Sequence, residues 1–222
     1  AMVVADSGFS QNLIRRRDPG PRDYKAVFVF NMALSSVLYV LLALLAPVAA
    51  RYYGMPEIAR IAPVFLLLLP LSSLCSVQNA IFTRQFRFAL LSKVNFLSSF
   101  VSGLAAVALA ALGCGIWSLV AERLLAMGVR AALLWRFSDW HPSGRFSAAP
   151  LREMAPFSMS LMATDLISTL YNKLPQFFFG RLYPAATLGV FEQAVKLKDM
   201  PTTAAVQSVQ LSLIHISEPT RH

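Results

Sequence analysis

Asp165, Ser168, Asn172 and Gln176 follow one another at steps of three, four and four residues through an otherwise apolar stretch, with Lys173 beside them. On an α-helix those steps keep the four polar side chains on one face. Such a stripe faces either a water-filled cavity or a polar helix interface, because lipid offers it no partner. A second cluster, Glu122, Arg123 and Arg130, also stands among apolar residues. Arg123 and Arg130 are seven residues apart, about two helical turns, and so share a face. Charges at that depth are costly unless they pair or meet water. The cluster therefore reads in two ways. It is an ion-pair group, with Glu122 bonded to Arg130 or to a basic residue on another helix, or it is a set of cations lining a cavity.

The elements that must position these groups are long and apolar. Five runs stand out: Ala26–Ala50, Ile61–Phe82, Leu90–Leu112, Ile116–Trp135 and Ala155–Phe179, each of 20 to 25 residues. At about 1.5 Å per residue each crosses a hydrocarbon core of roughly 30 Å. Helix is the expected form, since a spanning β-strand would alternate in polarity. The predicted fold class is all-α: a polytopic transmembrane helix bundle of five full spans plus the start of a sixth. Between the spans the basic residues alternate. Counting from the segment before the first span, and taking Lys93 at the start of the third run with the connection before it, the counts are 5, 2, 3, 0, 3 and, with Arg181 after the fifth run, 1 Lys or Arg. The rich segments, Arg15–Lys25, Phe82–Lys93 and Arg136–Arg152, are expected on the cytoplasmic side. Tyr24, Tyr52, Tyr53, Trp117, Trp135 and Trp140 lie at span ends, where amphipathic rings anchor at the headgroup level.

Composition narrows the function further. The chain is 56% hydrophobic and 14% charged, against about 25% charged in soluble domains. Its net charge of +9 sits in loops between spans rather than along one soluble face, which argues against nucleic acid as a partner. Cys75 and Cys114 lie in or beside apolar runs and read as small hydrophobes. His141 is a lone loop histidine, so no metal site is expected. No Gly-rich phosphate loop, His-Glu-x-x-His or nucleophile elbow occurs, and neither a catalytic residue nor a cofactor is expected.

Smaller features concern packing. Ser98, Ser102, Ala106 and Ala110, with Ser99 and Gly103 alongside, form a small-residue stripe that lets two membrane helices approach closely. Asn95 is expected to bond a neighbouring helix. Pro70 removes a backbone donor inside the second span and should bend it, as Pro47 and Pro175 should bend theirs. Gly113-Cys114-Gly115 reads as a tight turn. The opening residues look like the end of an earlier apolar span. Residues 211–222, which include His215 and His222, resemble a translated sequencing-adapter read-through and are set aside as a probable non-native tail.

Several short stretches, in order, resemble one family. Asp6-Ser-Gly-Phe-Ser-Gln-Asn-Leu-Ile-Arg15, followed by Arg16-Arg17-Asp18, is similar to the opening of the Wzx- and WzxC-like oligosaccharide (polysaccharide, O-antigen) flippases. Arg51-Tyr-Tyr-Gly54, Ser76-Val-Gln78, Arg84-Gln-Phe-Arg-Phe88, Gly113-Cys-Gly-Ile-Trp-Ser-Leu-Val120, Gly180-Arg181 and Ala185-Ala-Thr-Leu-Gly189 continue the resemblance, which reaches about residue 210. One departure is Pro175, where the family pattern expects a polar or acidic residue. The family belongs to the multidrug/oligosaccharidyl-lipid/polysaccharide exporter superfamily, whose members have two pseudosymmetric helical bundles. The resemblance implies that residues 1–147 supply part of the first bundle, from the end of helix two through helix six. Residues 148–210 would then supply helix seven and the start of helix eight. It implies a multi-pass protein of the bacterial inner membrane that is not an enzyme and that flips lipid-linked precursors by alternating access. The partners implied are an undecaprenyl-pyrophosphate oligosaccharide, membrane lipids and other polysaccharide assembly proteins. Arg123, Arg130 and Lys173 become candidates for phosphate contact, Ser168, Asn172 and Gln176 for sugar hydroxyls, and Asp165 and Glu122 for ion coupling. Two rivals remain: a multidrug cation antiporter of the same superfamily, and a membrane-embedded glycan polymerase or transferase.

Overall fold

The computed structural model describes residues 8–16, 19–142, 147–183, 187, 189–195 and 197, and among them all regular structure is helical. Helix α1 spans Phe9–Arg15, α2 Pro21–Tyr53, α3 Glu57–Leu66, α4 Leu68–Arg84, α5 Phe88–Ala111, α6 Ile116–Phe137 and α7 Ala149–Leu182. Local chemistry sets the boundaries. Pro21 begins α2 where its missing N–H costs nothing, and Asp23 accepts the Gly20 N–H at 2.8 Å. Gly54, at φ 68°, ends the same helix in the left-handed region that residues with a Cβ avoid. Gly113 (φ 80°) and Gly115 (φ 53°) turn the chain between α5 and α6, as the glycine spacing predicts.

Three helical stretches are long and apolar enough to cross a membrane: Pro21–Tyr53, Glu57–Arg84 and Phe88–Ala111. The other two expected spans are helices of ample length, α6 with 22 residues and α7 with 34, but they are less apolar. Glu122, Arg123 and Arg130 interrupt α6, and the polar stripe interrupts α7. The second expected span is also divided, into α3 and α4. The break falls at Leu67, directly after Leu66, the residue whose carbonyl Pro70 cannot serve as a donor and whose place its ring crowds. The Leu67 N–H turns to the Val64 carbonyl instead, at 3.3 Å. Leu67 keeps right-handed helical dihedrals (φ −57°, ψ −17°), so it is the hydrogen-bond ladder that is interrupted.

Helix α4 packs against α1, α2, α5 and α6. One apolar cluster joins Phe9 and Leu13 of α1 to Val27 of α2, Val77, Ala80 and Ile81 of α4, and Met154 of α7. Another joins Cys75 and Phe82 of α4 to Val94 of α5 and to Ala131 and Leu134 of α6. Helix α5 lies along α6 and buries Ser98 and Ser102, the start of the small-residue stripe. Their hydroxyls stay within the helix, on the carbonyls of Val94 (2.6 Å) and Ser99 (3.1 Å), and leave the interface free for close packing. Asn95, expected to bond a neighbour, is exposed instead, because it lies off the buried line of Val94, Ser98 and Ser102.

The three basic segments converge at one end of the bundle. Arg84, at the end of α4, places Nη1 3.1 Å from the carbonyls of both Leu13 and Ile14 and also on that of Arg16, closing the C-terminus of α1. Arg16 pairs with Glu153 at 2.9 Å and lies 3.8 Å from Asp23. Asn12 donates to the Met154 carbonyl at 3.2 Å and to Ser158 Oγ at 3.3 Å. Trp135 and Trp140, expected as anchors at a span end, are partly buried. They stack in a cluster with Tyr24, Phe28 and His141, and the Trp135 indole donates to the Leu74 carbonyl at 3.0 Å. Tyr52 and Trp117, at other span ends, are exposed.

The described residues up to Tyr171 form one compact unit, and those from Asn172 form a second. In the second, Phe179 packs on Tyr183 and on Phe191, with ring centroids 5.8 and 5.2 Å apart.

Candidate functional site

Arg130 is the most enclosed of the candidate cations. It points from α6 toward α4, where its Nη2 donates to Asn79 Oδ1 at 3.2 Å. Its Nε is buried with no partner, and among the described residues no carboxylate lies within ion-pairing distance of it. Cys75, Gln78, Asn79 and Phe82 fall within about 100° of arc on α4, by the 3.6-residue repeat. Gln78 is fully buried there, and both of its amide atoms lack a partner among the described residues. The Arg130 Nε and the Gln78 amide thus keep unused hydrogen-bonding capacity among apolar helices, which costs stability, and the guanidinium is able to donate to an anion.

Arg123 behaves differently. Its Nε pairs with Glu122 Oε2 at 3.2 Å, and its side chain is 65% exposed. Glu122 therefore pairs with its neighbour in sequence, not with Arg130 or another helix as expected. The reason is reach: Arg130 is drawn to Asn79 on α4, while Arg123 stands clear of that interface. The two arginines share a nominal helix face but occupy different surroundings.

On α7, Asp165 is partly buried, whereas Ser168, Asn172 and Lys173 are exposed. The Gln176 and Pro175 side chains lie outside the described residues, as do residues 1–7 of the opening motif and residues 198–222 with the tail. Among the described residues no group of three His, Cys, Asp or Glu side chains is placed to hold a metal ion.

A second polar feature was not anticipated. Asn31 and Ser35 of α2 are fully buried against α1 and α4. Asn31 Nδ2 donates to Ser10 Oγ at 3.2 Å and to Ser76 Oγ at 3.3 Å, and Ser35 Oγ lies 3.0 Å from Ser73 Oγ. The signal was available: Asn31 and Ser35 are four apart, Ser73 and Ser76 three apart, so each pair marks one helix face. Gln78, the last residue of the Ser76-Val-Gln78 stretch that carried part of the resemblance, and Asn79 follow on α4.

Three helical stretches of membrane-crossing length and apolarity, with cations and amides set among them, define the chain as a helical bundle of the membrane type. The chain is a member of the polysaccharide biosynthesis protein family, whose family model matches residues 1–215. It is 24% identical over 204 residues to the teichuronic acid biosynthesis protein TuaB of Bacillus subtilis (strain 168), covering 90% of this chain and 42% of that protein. It is 24% identical over 207 residues to the succinoglycan biosynthesis transport protein ExoT of Rhizobium meliloti (strain 1021), covering 93% of this chain and 42% of that protein. The chain thus spans about two-fifths of the length of these relatives. No solved structure matches it.

Proposed function

We infer that this chain is part of a non-enzymatic transporter in the bacterial inner membrane, passing it several times. Its cargo would be lipid-linked oligosaccharide or polysaccharide precursors, moved across that membrane by alternating access between two helical bundles divided near residues 147 and 148. Membership of the polysaccharide biosynthesis family supports the cargo class, and the name of the relative ExoT supports transport rather than catalysis. One observation within the fold carries the reading: Arg130 keeps a partly buried, unneutralised guanidinium in an apolar bundle, held by Asn79. A bilayer protein retains such a charge at a cost, and an anionic phosphate head group offsets it. A multidrug cation antiporter would call for the opposite sign at that point.

On this reading Arg130 meets the phosphate within the bundle, and Arg123, with its charge moderated by Glu122, meets it nearer the surface. Lys173 is a further candidate for phosphate contact, and Ser168, Asn172 and Gln176 are candidates for sugar hydroxyls. Asp165 and Glu122 are the groups available for ion coupling. The test is flipping of a defined lipid-linked glycan in vesicles holding the intact protein. Arg130→Ala should slow flipping by about 10- to 100-fold, one to two charge-assisted hydrogen bonds. Arg130→Lys should keep part of the rate, because charge survives while the planar fork does not. Wild-type flipping by Arg130→Ala, at wild-type membrane abundance, overturns the phosphate role.

A further inference from the structure

Arg123 and Arg130 stand on the same helix, yet their charges meet different partners. Arg123 is neutralised by a carboxylate, Glu122, at 3.2 Å. Arg130 is held by an amide: its Nη2 donates to Asn79 Oδ1 at 3.2 Å. Neither Arg130 nor Asn79 makes another side-chain hydrogen bond among the described residues. We propose that Asn79 is a positioning residue that sets the charge of the site: it fixes the Arg130 guanidinium without cancelling it, so that the bundle selects cargo with a phosphate or pyrophosphate head group. The proposal rests on the anion reading of Arg130 above and adds to it the residue that keeps the cation available.

The surroundings make the choice of side chain matter. On α4, Asn79 lies one turn beyond Cys75 and three residues before Phe82, and on α6 Arg130 lies between Met127 and Ala131. Cys75, Phe82, Ala131 and Leu134 belong to one buried apolar cluster, with Met127 packed against it. Beside such a cluster a lone guanidinium is costly, and an opposite charge within reach is the direct remedy. Aspartate would supply it. It has the shape of asparagine, so a carboxylate oxygen would stand where Oδ1 stands, and the resulting ion pair would be neutral. Asparagine supplies the same acceptor with no charge. Its orientation adds a second effect. A guanidinium has only donors, so the amide oxygen must face it and Nδ2 must point away, with both N–H groups free among the described residues. An anion that reaches Arg130 beside Asn79 meets a full positive charge and, next to it, further donors. With aspartate in that place it would meet a negative charge. Neutral or cationic cargo gains nothing from the arrangement.

The test compares the intact wild-type protein with Arg130→Ala, Asn79→Asp and Asn79→Leu. Each flips a lipid-linked pyrophosphate glycan in vesicles, at matched membrane abundance, with thermal denaturation as the control. A packing role and a charge role predict opposite orders. If Asn79 only fastens α4 to α6, Asn79→Asp keeps the bond and stays active, while Asn79→Leu loses it and fails. If Asn79 sets the charge, Asn79→Asp should slow flipping by about 10- to 100-fold, as far as Arg130→Ala does, because a charge-assisted bond to the cargo is lost. Its denaturation temperature should not fall, since an ion pair replaces the neutral bond. Asn79→Leu should slow flipping by only about three- to tenfold, and more cargo lipid should restore the rate, because the charge persists and only its placement loosens. Asn79→Asp at the wild-type rate overturns the proposal. So does Asn79→Leu falling as far as Arg130→Ala, a comparison that stands even where Asn79→Asp fails to reach the membrane. Arg130→Ala at the wild-type rate overturns the anion reading, and the proposal with it. An impaired Arg130→Ala beside a fully active Asn79→Asp overturns the role of Asn79 alone. Should the wild type flip nothing, the transporter reading falls, and retention of inorganic pyrophosphate by the same protein in nanodiscs of neutral lipid becomes the readout. Weaker retention by Asn79→Asp than by Asn79→Leu supports the proposal there, and retention equal to wild type by Asn79→Asp overturns it.

Discussion

Gln78 is fully enclosed, yet both ends of its amide go without a hydrogen bond among the described residues. A buried amide in that state costs about 1–3 kcal/mol. Gln78→Met keeps the volume and removes the polar atoms, so it should stabilise the bundle by about 1–2 kcal/mol in a thermal denaturation series. A loss of stability would mean that the amide has a partner, most simply an enclosed water. Gly8 sits at the opposite extreme of tolerance. It adopts φ 63°, and a Cβ there would lie 2.9 Å from the Ser158 carbonyl oxygen. Gly8→Ala should cost at least about 1–2 kcal/mol from the left-handed backbone alone, with the clash added. Its signature should be release of α1 from α7, read as faster hydrogen exchange in residues 9–16.

At the scale of elements, α1 is short enough that it cannot hold itself together: seven residues are well below the length at which an isolated helix is stable. Its contacts hold it, and Arg84 on its final carbonyls is the chief polar one. Arg84→Met should loosen α1 while leaving α2 and α5 intact, at a cost of about 1–3 kcal/mol. Limited proteolysis near Arg16 reads this directly. The α5–α6 contact makes a contrasting prediction. Ser98 and Ser102 are buried for their size and bond only to their own helix. Ser102→Ala should be nearly neutral, whereas Ser102→Leu should cost about 1–3 kcal/mol by forcing the helices apart. Equal effects from the two substitutions would mean that the hydroxyl, not the space, matters.

For the whole molecule, the alternating basic count predicts which end faces the cytoplasm, and the convergence of α1, the end of α4 and the start of α7 places those segments together. Cys114 is exposed in the turn at the other end, and Cys75 is buried. A membrane-impermeant maleimide should therefore label Cys114 in intact cells and spare Cys75. With Cys114 replaced by Ser, a cysteine at Asp139, an exposed position, should react only after permeabilisation. Labelling of position 139 from outside intact cells would reverse the topology.

Helix content, the approximate positions of the long helices and the tight Gly113–Gly115 turn were legible from sequence, because apolar run length, glycine placement and loop charge are local quantities. The close-packing role of Ser98 and Ser102 was legible too, since helical spacing alone puts them on one face. What tertiary structure decided is who meets whom. Sequence spacing set Arg123 and Arg130 on one face, but only the approach of α4 sends Arg130 to Asn79 and leaves Arg123 to Glu122. Likewise, Trp135 and Trp140 stand at span ends in either reading. Their clustering with Tyr24 and Phe28 depends on α2 lying beside α6, and the Asn31–Ser10–Ser76 network depends on three helices meeting at once. A helical period states which side chains share a face, but the partner on the other side of that face is a property of packing, and packing is not local.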